Sequence, residues 1–232
     1  MLSVKNLQKT FHTGKTDGLT VLSDISFTLG DGERLALSGA SGVGKSTVAR
    51  ILTGLETPDG GNVFLDGEPL WSEGRHRKYD REKGRGIQMI FQSPYASLDP
   101  VQTIGGAVAE ALVFSHSAKR GRDAKEKTEE LFGLVGLPFG LAKRRPFALS
   151  GGQAQRAAIA RALALRPSVL IADEATAMLD VMTQARIAEL LGELSAELGL
   201  AVIYISHDAD FLRRAADRIT VLEHGTLREE KE

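Results

Sequence analysis

The stretch that decides the fold is Gly39–Thr47, GASGVGKST. It fits G-x-x-x-x-G-K-[ST] at Gly39, Gly44, Lys45 and Ser46, with Ser41, Gly42 and Thr47 inside the same loop. That pattern is a phosphate cradle when it follows a buried strand and opens a helix. Both flanks are present. The apolar run RLALS (Arg34–Ser38) precedes the loop, and KSTVARILTGL follows it with helical character. Glycines allow close backbone approach and aim N–H groups at a β-phosphate. Lys45 is placed to neutralise β/γ oxygens, and the Ser46 hydroxyl to ligate Mg²⁺.

Around this loop the chain alternates strand and helix signals. IQMIF (Ile87–Phe91), VLIA (Val169–Ala172) and VIYIS (Val202–Ser206) are short continuous apolar runs. Such runs suit strands buried on both faces, as in a parallel sheet. ITVLEHGTL reads as a hairpin turning at His224-Gly225. In TQARIAELLGELSAEL the residues Ile187, Leu190, Leu191, Leu194 and Leu198 share one helical face. The class is α/β. From about Ser93 to Phe147 strand runs are missing, and IGGAVAEALVF and AKEKTEELFGLVGL read as helices, so this part is an inserted helical subdomain. SEGRHRKYDREKGRG (Ser72–Gly86) reads as a solvated loop or exposed helix rather than a nucleic-acid patch.

Composition sets outer limits. The 232 residues carry a net charge of −1 and are 42% hydrophobic, enough for one substantial core with an inserted subdomain. The near-neutral balance argues against a dedicated nucleic-acid binder. There is no cysteine, hence no disulfide and no thiolate metal site. The start, MLSVKNLQKTF, lacks the apolar core of a signal peptide, and no apolar run approaches the roughly 20 residues that span a bilayer. A soluble, cytoplasmic protein is expected.

Three further places carry chemistry. The strand VLIA ends in Asp173-Glu174, so two carboxylates emerge at the sheet edge where ligands sit in open α/β folds. Asp173 is a Mg²⁺ ligand candidate, and Glu174 a candidate general base for an attacking water. His207 ends VIYIS, where it either serves the site or caps the next helix. Gln92 follows IQMIF, where it either contacts metal or water or begins a loop. Finally LSGGQ (Leu149–Gln153) sets a capping hydroxyl, Ser150, before the bare amides of Gly151 and Gly152. A helix start of this kind is a second anion site.

The phosphate loop, FQ, LSGGQ, LIADE, LD and SHD, in this order along the whole chain, resemble the nucleotide-binding subunits of ATP-binding cassette (ABC) transporters. The resemblance implies a P-loop NTPase core with a mixed, mainly parallel sheet and an N-terminal antiparallel β portion. The core would comprise about 1–91 and 155–232, and the helical subdomain about 92–154. It also implies roles: Phe11 stacks on adenine, Gln92 touches the metal and links to membrane subunits, Asp180 lies between two active sites, and His207 contacts the γ-phosphate. In the family two subunits sandwich two ATP molecules head to tail. Ser150, Gly151, Gly152 and Gln153 then face the partner's γ-phosphate and are satisfied only while it is present. The implied cofactors are ATP and Mg²⁺. The implied partners are a second ATPase subunit, membrane permeases and an extracytoplasmic binding protein, with the chain on the cytoplasmic face of the membrane and no nucleic acid. Tyr95 and Leu98 are the candidates for apolar contact with a permease, unless they pack the insertion onto the core.

One departure stands out: the family's Ser-Ala-Leu-Asp is Ala177-Met178-Leu179-Asp180 here, which is expected to alter coupling without ending activity. IFQSPYASLDP and LDVMTQARI are similar to importers of peptides and nickel. Two other classes compete with an importer ATPase. A soluble cassette acting on DNA or ribosomes would usually bring coiled coils or a second cassette. A regulatory cassette without turnover would be expected to lack Glu174 or His207.

Overall fold

Three of the four continuous apolar runs become neighbouring parallel strands inside a sheet, and the fourth, Ile87–Phe91, supplies the strand at its end. The computed structural model describes residues 1–12, 18–72, 77–175 and 180–230. In it β1 (Leu2–His12), β2 (Gly18–Leu29), β4 (Gly60–Leu65) and β5 (Glu68–Pro69) pair antiparallel. β3 (Arg34–Ser38), β6 (Ile87–Ile90), β7 (Val169–Asp173), β8 (Ala201–Ile205) and β9 (Arg218–Glu223) run parallel in the order β9-β3-β8-β7-β6. β10 (Thr226–Glu229) closes a hairpin on β9 and meets β2 at the single pair Thr226–Asp24, joining the two sheets. The order among the described residues is β5-β4-β1-β2-β10-β9-β3-β8-β7-β6. The hairpin turn is at His224-Gly225, both with positive φ as a two-residue turn of this hand requires.

β7 and β8 are buried at every residue, because helices and a second sheet cover their two faces. β1 has one covered face and alternates, with Leu2, Val4 and Leu7 buried. The helix α1 (Lys45–Leu52) lies between the two sheets with Val48, Ala49, Ile51 and Leu52 buried. The other face of the parallel sheet carries α2 (Ile104–Phe114), α3 (Arg122–Leu134), α4 (Gly151–Leu163), α5 (Val181–Leu198) and α6 (Ala209–Ala215) around a second core. No helix among the described residues is long and apolar enough to cross a membrane.

Three expectations change. The charged segment Ser72–Gly86 is not simply solvated. Tyr79 pairs with Trp71 in an isolated bridge, their rings 5.0 Å apart. The two donate to the last carbonyls of α1, Trp71 Nε1 to Ile51 at 3.2 Å and Tyr79 Oη to Leu52 at 2.8 Å. Helix ends leave such carbonyls without intrahelical partners, so the surrounding charges had hidden an aromatic cap. In α5, Ile187, Leu190, Leu191 and Leu194 are buried as the periodicity requires, but Leu198 is 54% exposed. It is the last helical residue, just before Gly199 turns the chain with φ 65, and it has run past the edge of the core.

Leu98 also moves. It is 4% exposed and packs in the core that contains Ile104, Val108 and Leu112 of α2, so it holds the helical segment rather than offering a contact. Tyr95 is half-buried and stacks on Phe147 with centroids 5.1 Å apart and an interplanar angle of 9°, and Phe147 is 71% exposed. Leu98→Ala is therefore expected to cost about 2–5 kcal/mol of folding stability, the range for a buried leucine truncated in place. Urea unfolding of the isolated chain reads this out. A loss below about 0.5 kcal/mol would return Leu98 to the surface.

Candidate functional site

The loop 39–44 joins the C-terminal end of β3 to the N-terminus of α1. Two of its glycines are dictated by what surrounds them. At Gly39 (φ 142) a Cβ would lie 2.6 Å from the Leu222 carbonyl oxygen of β9, and at Gly44 (φ 116) it would lie 2.5 Å from Val21 Cγ1 of β2. The loop is thus wedged between the two sheets, while its tip at Gly42 faces open space. Gly44 is the N-cap of α1 and supplies no side chain, so the first-turn amides point outward from a bare helix start.

Lys45 is buried, and its ammonium arches back over the loop to donate to the carbonyls of Gly39 (2.7 Å) and Ala40 (2.8 Å). Burial lowers its pKa, opposed by the nearby charges of Glu174 and Asp173. The Ser46 hydroxyl donates to Asp173 Oδ1 at 3.1 Å. Asp173 ends β7 nearly buried, and burial lifts its carboxyl above the usual carboxylate range, with the Ser46 hydrogen bond drawing it partly back.

The chain turns sharply at the next residue. Glu174 has φ 47, and its N–H donates to Ile205 of β8 at 2.8 Å. This left-handed residue directs its carboxylate away from the line of Asp173, toward His207. His207 Nδ1 stands 3.3 Å from Glu174 Oε1, and since a carboxylate only accepts, Nδ1 is the donor. His207 itself is largely exposed. It does not cap α6. Asp208 does so, accepting from Phe211 N at 2.9 Å, which leaves the imidazole free for Glu174. Gln92 is exposed two residues beyond β6, whose Ile90 pairs with Ala172, so it leaves the sheet at the same edge as Asp173. Phe11 sits opposite Leu19 in the β1–β2 pair, and Val21 of that same hairpin touches Gly44. Phe11 is half-buried and belongs to neither core.

A second group lies apart from the first. Ser150 caps α4 in a reciprocal box: its Oγ accepts from Gln153 N at 3.3 Å, and Gln153 Oε1 accepts from Ser150 N at 3.1 Å. This corrects the expectation that these groups are satisfied only by a phosphate. The capping box satisfies two of the donors within the chain, and the amides of Gly151 and Gly152, at the first two helical positions, have no intrahelical acceptor. The start of α5 packs beside this end, since a Cβ on Gly152 would lie 2.8 Å from Thr183 Cγ2. Asp180 caps α5 with both oxygens, accepting from Thr183 N (3.0 Å) and Thr183 Oγ1 (2.7 Å), and these bonds hold its carboxyl below the usual range. Val181 and Met182 beside it are exposed apolar residues. No hydrogen bond among the described residues links Ser150–Gln153 to loop 39–47. The Ala177-Met178 departure lies outside the described residues.

Two contributions were missed in the sequence. Lys9 sits over the Phe11 ring, 5.0 Å from its centroid, and the strand period of two placed both on one face of β1. The Trp71–Tyr79 cap of α1 had no such signal, because it depends on a turn of charged residues.

Sheet order, wedged glycine loop and strand-ending carboxylates together make this the fold of a phosphate-loop NTPase. More narrowly, the chain belongs to the ABC transporter family, whose sequence pattern matches residues 22–177. The oligopeptide transport ATP-binding protein OppF of Bacillus subtilis is 40% identical over 227 residues, covering 98% of this chain and 74% of that protein. The glutathione import ATP-binding protein GsiA of Pectobacterium atrosepticum is 41% identical over 98% of this chain and 37% of its own length. The chain spans 62% of the length of two peptide import ATP-binding proteins of Brucella abortus that it matches at 41% identity. The dimeric, post-hydrolysis structure of the ATP-binding cassette MJ0796 bound to ADP and Pi superposes with a TM-score of 0.85 at 33% identity, covering 100% of this chain and 98% of that one.

Proposed function

We propose that this chain is the ATP-hydrolysing subunit of an importer, converting ATP and water to ADP and phosphate at the interface of two such subunits. The observation that carries the reading is the Ser46–Asp173 pair at the mouth of the loop, with Glu174 and His207 beside it. A hydroxyl and a buried carboxylate are hard oxygen donors. Mg²⁺ suits them, because it is held by one or two carboxylates plus substrate phosphates. Among the described residues no cluster of three or more His, Asp or Glu side chains stands ready to cage an ion without substrate. Ser46 and Asp173 would hold the ion, with Gln92 at its edge, and when bound it neutralises charge building up on the phosphates.

The protein's own groups do the remaining work. Amides of 39–47 and the Lys45 ammonium hold the β- and γ-phosphates. Glu174 takes a proton from water as its oxygen bonds to the γ-phosphorus and the bond to the bridging oxygen of ADP breaks. His207 holds Glu174 in place by its Nδ1–H and reaches the γ-phosphate. Phe11 stacks on the base. Ser150, Gly151, Gly152 and Gln153, with Asp180 beside them, meet the γ-phosphate of the partner subunit. The exposed Val181 and Met182 support a covered surface there.

In this reading the division is 1–91 with 155–232 as core and 92–154 as helical subdomain, α4 carrying the chain back. Permeases dock on the subdomain near half-buried Tyr95 and the exposed Phe147 stacked on it, on the cytoplasmic face of the membrane, and an extracytoplasmic protein delivers cargo. The peptide and glutathione import names of the relatives favour the peptide side of a peptide-or-nickel cargo.

The test is phosphate release by the purified chain with Mg-ATP at increasing protein concentration. Two composite sites predict that activity per molecule rises with concentration and saturates. A constant, concentration-independent rate would contradict the shared site, and no release at any concentration, alone or with its permeases, would contradict the enzyme.

A further inference from the structure

Lys9 is an unusual residue to find on β1. Its side chain is only 10% exposed, and burying an ammonium is costly unless every donor is used. Here the charge is compensated by one hydrogen bond and two carboxylates. Nζ lies 2.6 Å from Glu56 Oε1, 2.8 Å from the Thr57 carbonyl and 3.7 Å from Asp59 Oδ1. The ammonium also stands over the Phe11 ring, 5.0 Å from the centroid. The loop 55–59 is itself fixed at both ends. Leu55 and Glu56 N–H groups donate to the Arg50 carbonyl at the end of α1, Asp59 N donates to Gln8, and Thr10 N donates to Asp59 Oδ2 at 2.6 Å.

We propose that Lys9 is a positioning residue for base recognition: it fixes the Phe11 ring relative to the phosphate loop and sharpens its preference for a purine face. The proposal rests on the reading of Phe11 as the base platform. Two effects follow from the geometry. Lys9 fastens the ring to the loop that ends α1, while α1 begins at the phosphate loop. A helix of this length is about 12 Å long, so the platform and the cradle are held a fixed distance apart by one rigid element. A ring held in place before binding avoids the cost of ordering it on binding.

The second effect is electronic. A cation over one ring face draws π density toward itself. The opposite face becomes less negative and repels the π face of a stacked purine less. Because the ammonium takes one face, the other is the one that receives the base. A purely structural Lys9 would instead stabilise β1 against loop 55–59 and leave nucleotide affinity to follow the fold.

The test uses Lys9→Met with Glu56→Gln, so that the closer carboxylate is not stranded while the half-exposed Asp59 keeps its bond from Thr10 N, beside Phe11→Ala, the three changes combined, and Lys9→Arg. Affinities for Mg-ATP and for inorganic tripolyphosphate are measured by calorimetry, with thermal melts to confirm folding. The expected result is a loss of ATP affinity of about threefold for the paired variant and about fivefold for Phe11→Ala, with tripolyphosphate binding unchanged. The combined variant should bind ATP no more weakly than Phe11→Ala, and Lys9→Arg should restore most of the affinity. A loss that persists undiminished in the Phe11→Ala background, or that extends to tripolyphosphate, overturns the proposal. If Phe11→Ala alone leaves ATP affinity unchanged, the platform reading itself fails and the role of Lys9 falls with it. An unchanged paired variant beside a weakened Phe11→Ala sinks the Lys9 role alone.

Discussion

Glu174→Gln is expected to lower ATP hydrolysis by a factor of about 10² or more while ATP binding persists. The size follows from the loss of general base catalysis, which contributes roughly that factor or more to a proton-transfer step. The selectivity follows from the structure. Glutamine has the same shape, and the left-handed turn at φ 47 with its N–H on Ile205 is a backbone feature that the new side chain inherits. Its amide oxygen can still accept from His207 Nδ1, which stands 3.3 Å from the carboxylate now. Only the proton acceptor is removed. Binding should even tighten slightly, because a negative charge next to the incoming γ-phosphate disappears while Asp173 keeps its own. A subunit that binds but does not cleave should stay paired. Size exclusion with light scattering is therefore expected to show an ATP-dependent dimer that outlasts that of the unaltered chain. Turnover at the unaltered rate would remove Glu174 from the base role and direct attention to water held by His207.

The strands and the loop were legible in the sequence for a plain reason. RLALS, VLIA and VIYIS are buried on both faces, so nearly every residue in them is apolar, and local composition alone announces them. The glycines at 39 and 44 were legible as a pattern, but the reason for each was not. One is required by the Leu222 carbonyl and the other by Val21, contacts from strands far away in the chain. The same distance effect explains the errors. Leu98 looks like a loop residue between prolines, and only the packing of α2 and α4 over it makes it core. Ser72–Gly86 looks solvated because its charges outnumber the one tyrosine that matters, and Tyr79 acts through a hydroxyl that finds the end of α1. Within the site, Ser46 and Asp173 are 127 residues apart, and their 3.1 Å contact is a product of β3 and β7 running parallel on either side of β8. Ser150 was legible as a cap, but the expectation that only a phosphate satisfies it overlooked Gln153, which stands three residues on and completes the box.

Lys45→Ala is expected to weaken binding of Mg-ATP by roughly 10- to 100-fold, the worth of about 1.5–3 kcal/mol for hydrogen bonds from a charged donor. The structure also says what should survive. Lys45 spends its charge on two carbonyls of its own loop, Gly39 and Ala40, at 2.7 and 2.8 Å. Ala40 is exposed, so water replaces the lost donor there at little cost. The loop shape is set by Gly39 and Gly44 against neighbouring strands, not by the lysine. Circular dichroism and thermal melting should therefore show a native fold with a stability change under about 1 kcal/mol. The buried stem is a separate matter, and Lys45→Met tests it by keeping the chain length without the charge. If both variants lose ATP affinity equally, the ammonium is responsible. Adenosine monophosphate gives the sharper contrast, since it has no β- or γ-phosphate for Lys45 to hold. Its weak binding should be the same in the variants and in the unaltered chain, so the ratio of ATP to monophosphate affinity should collapse. A native fold with that ratio intact would mean that the loop binds phosphate through its amides alone, and that Lys45 serves only to close the loop on itself.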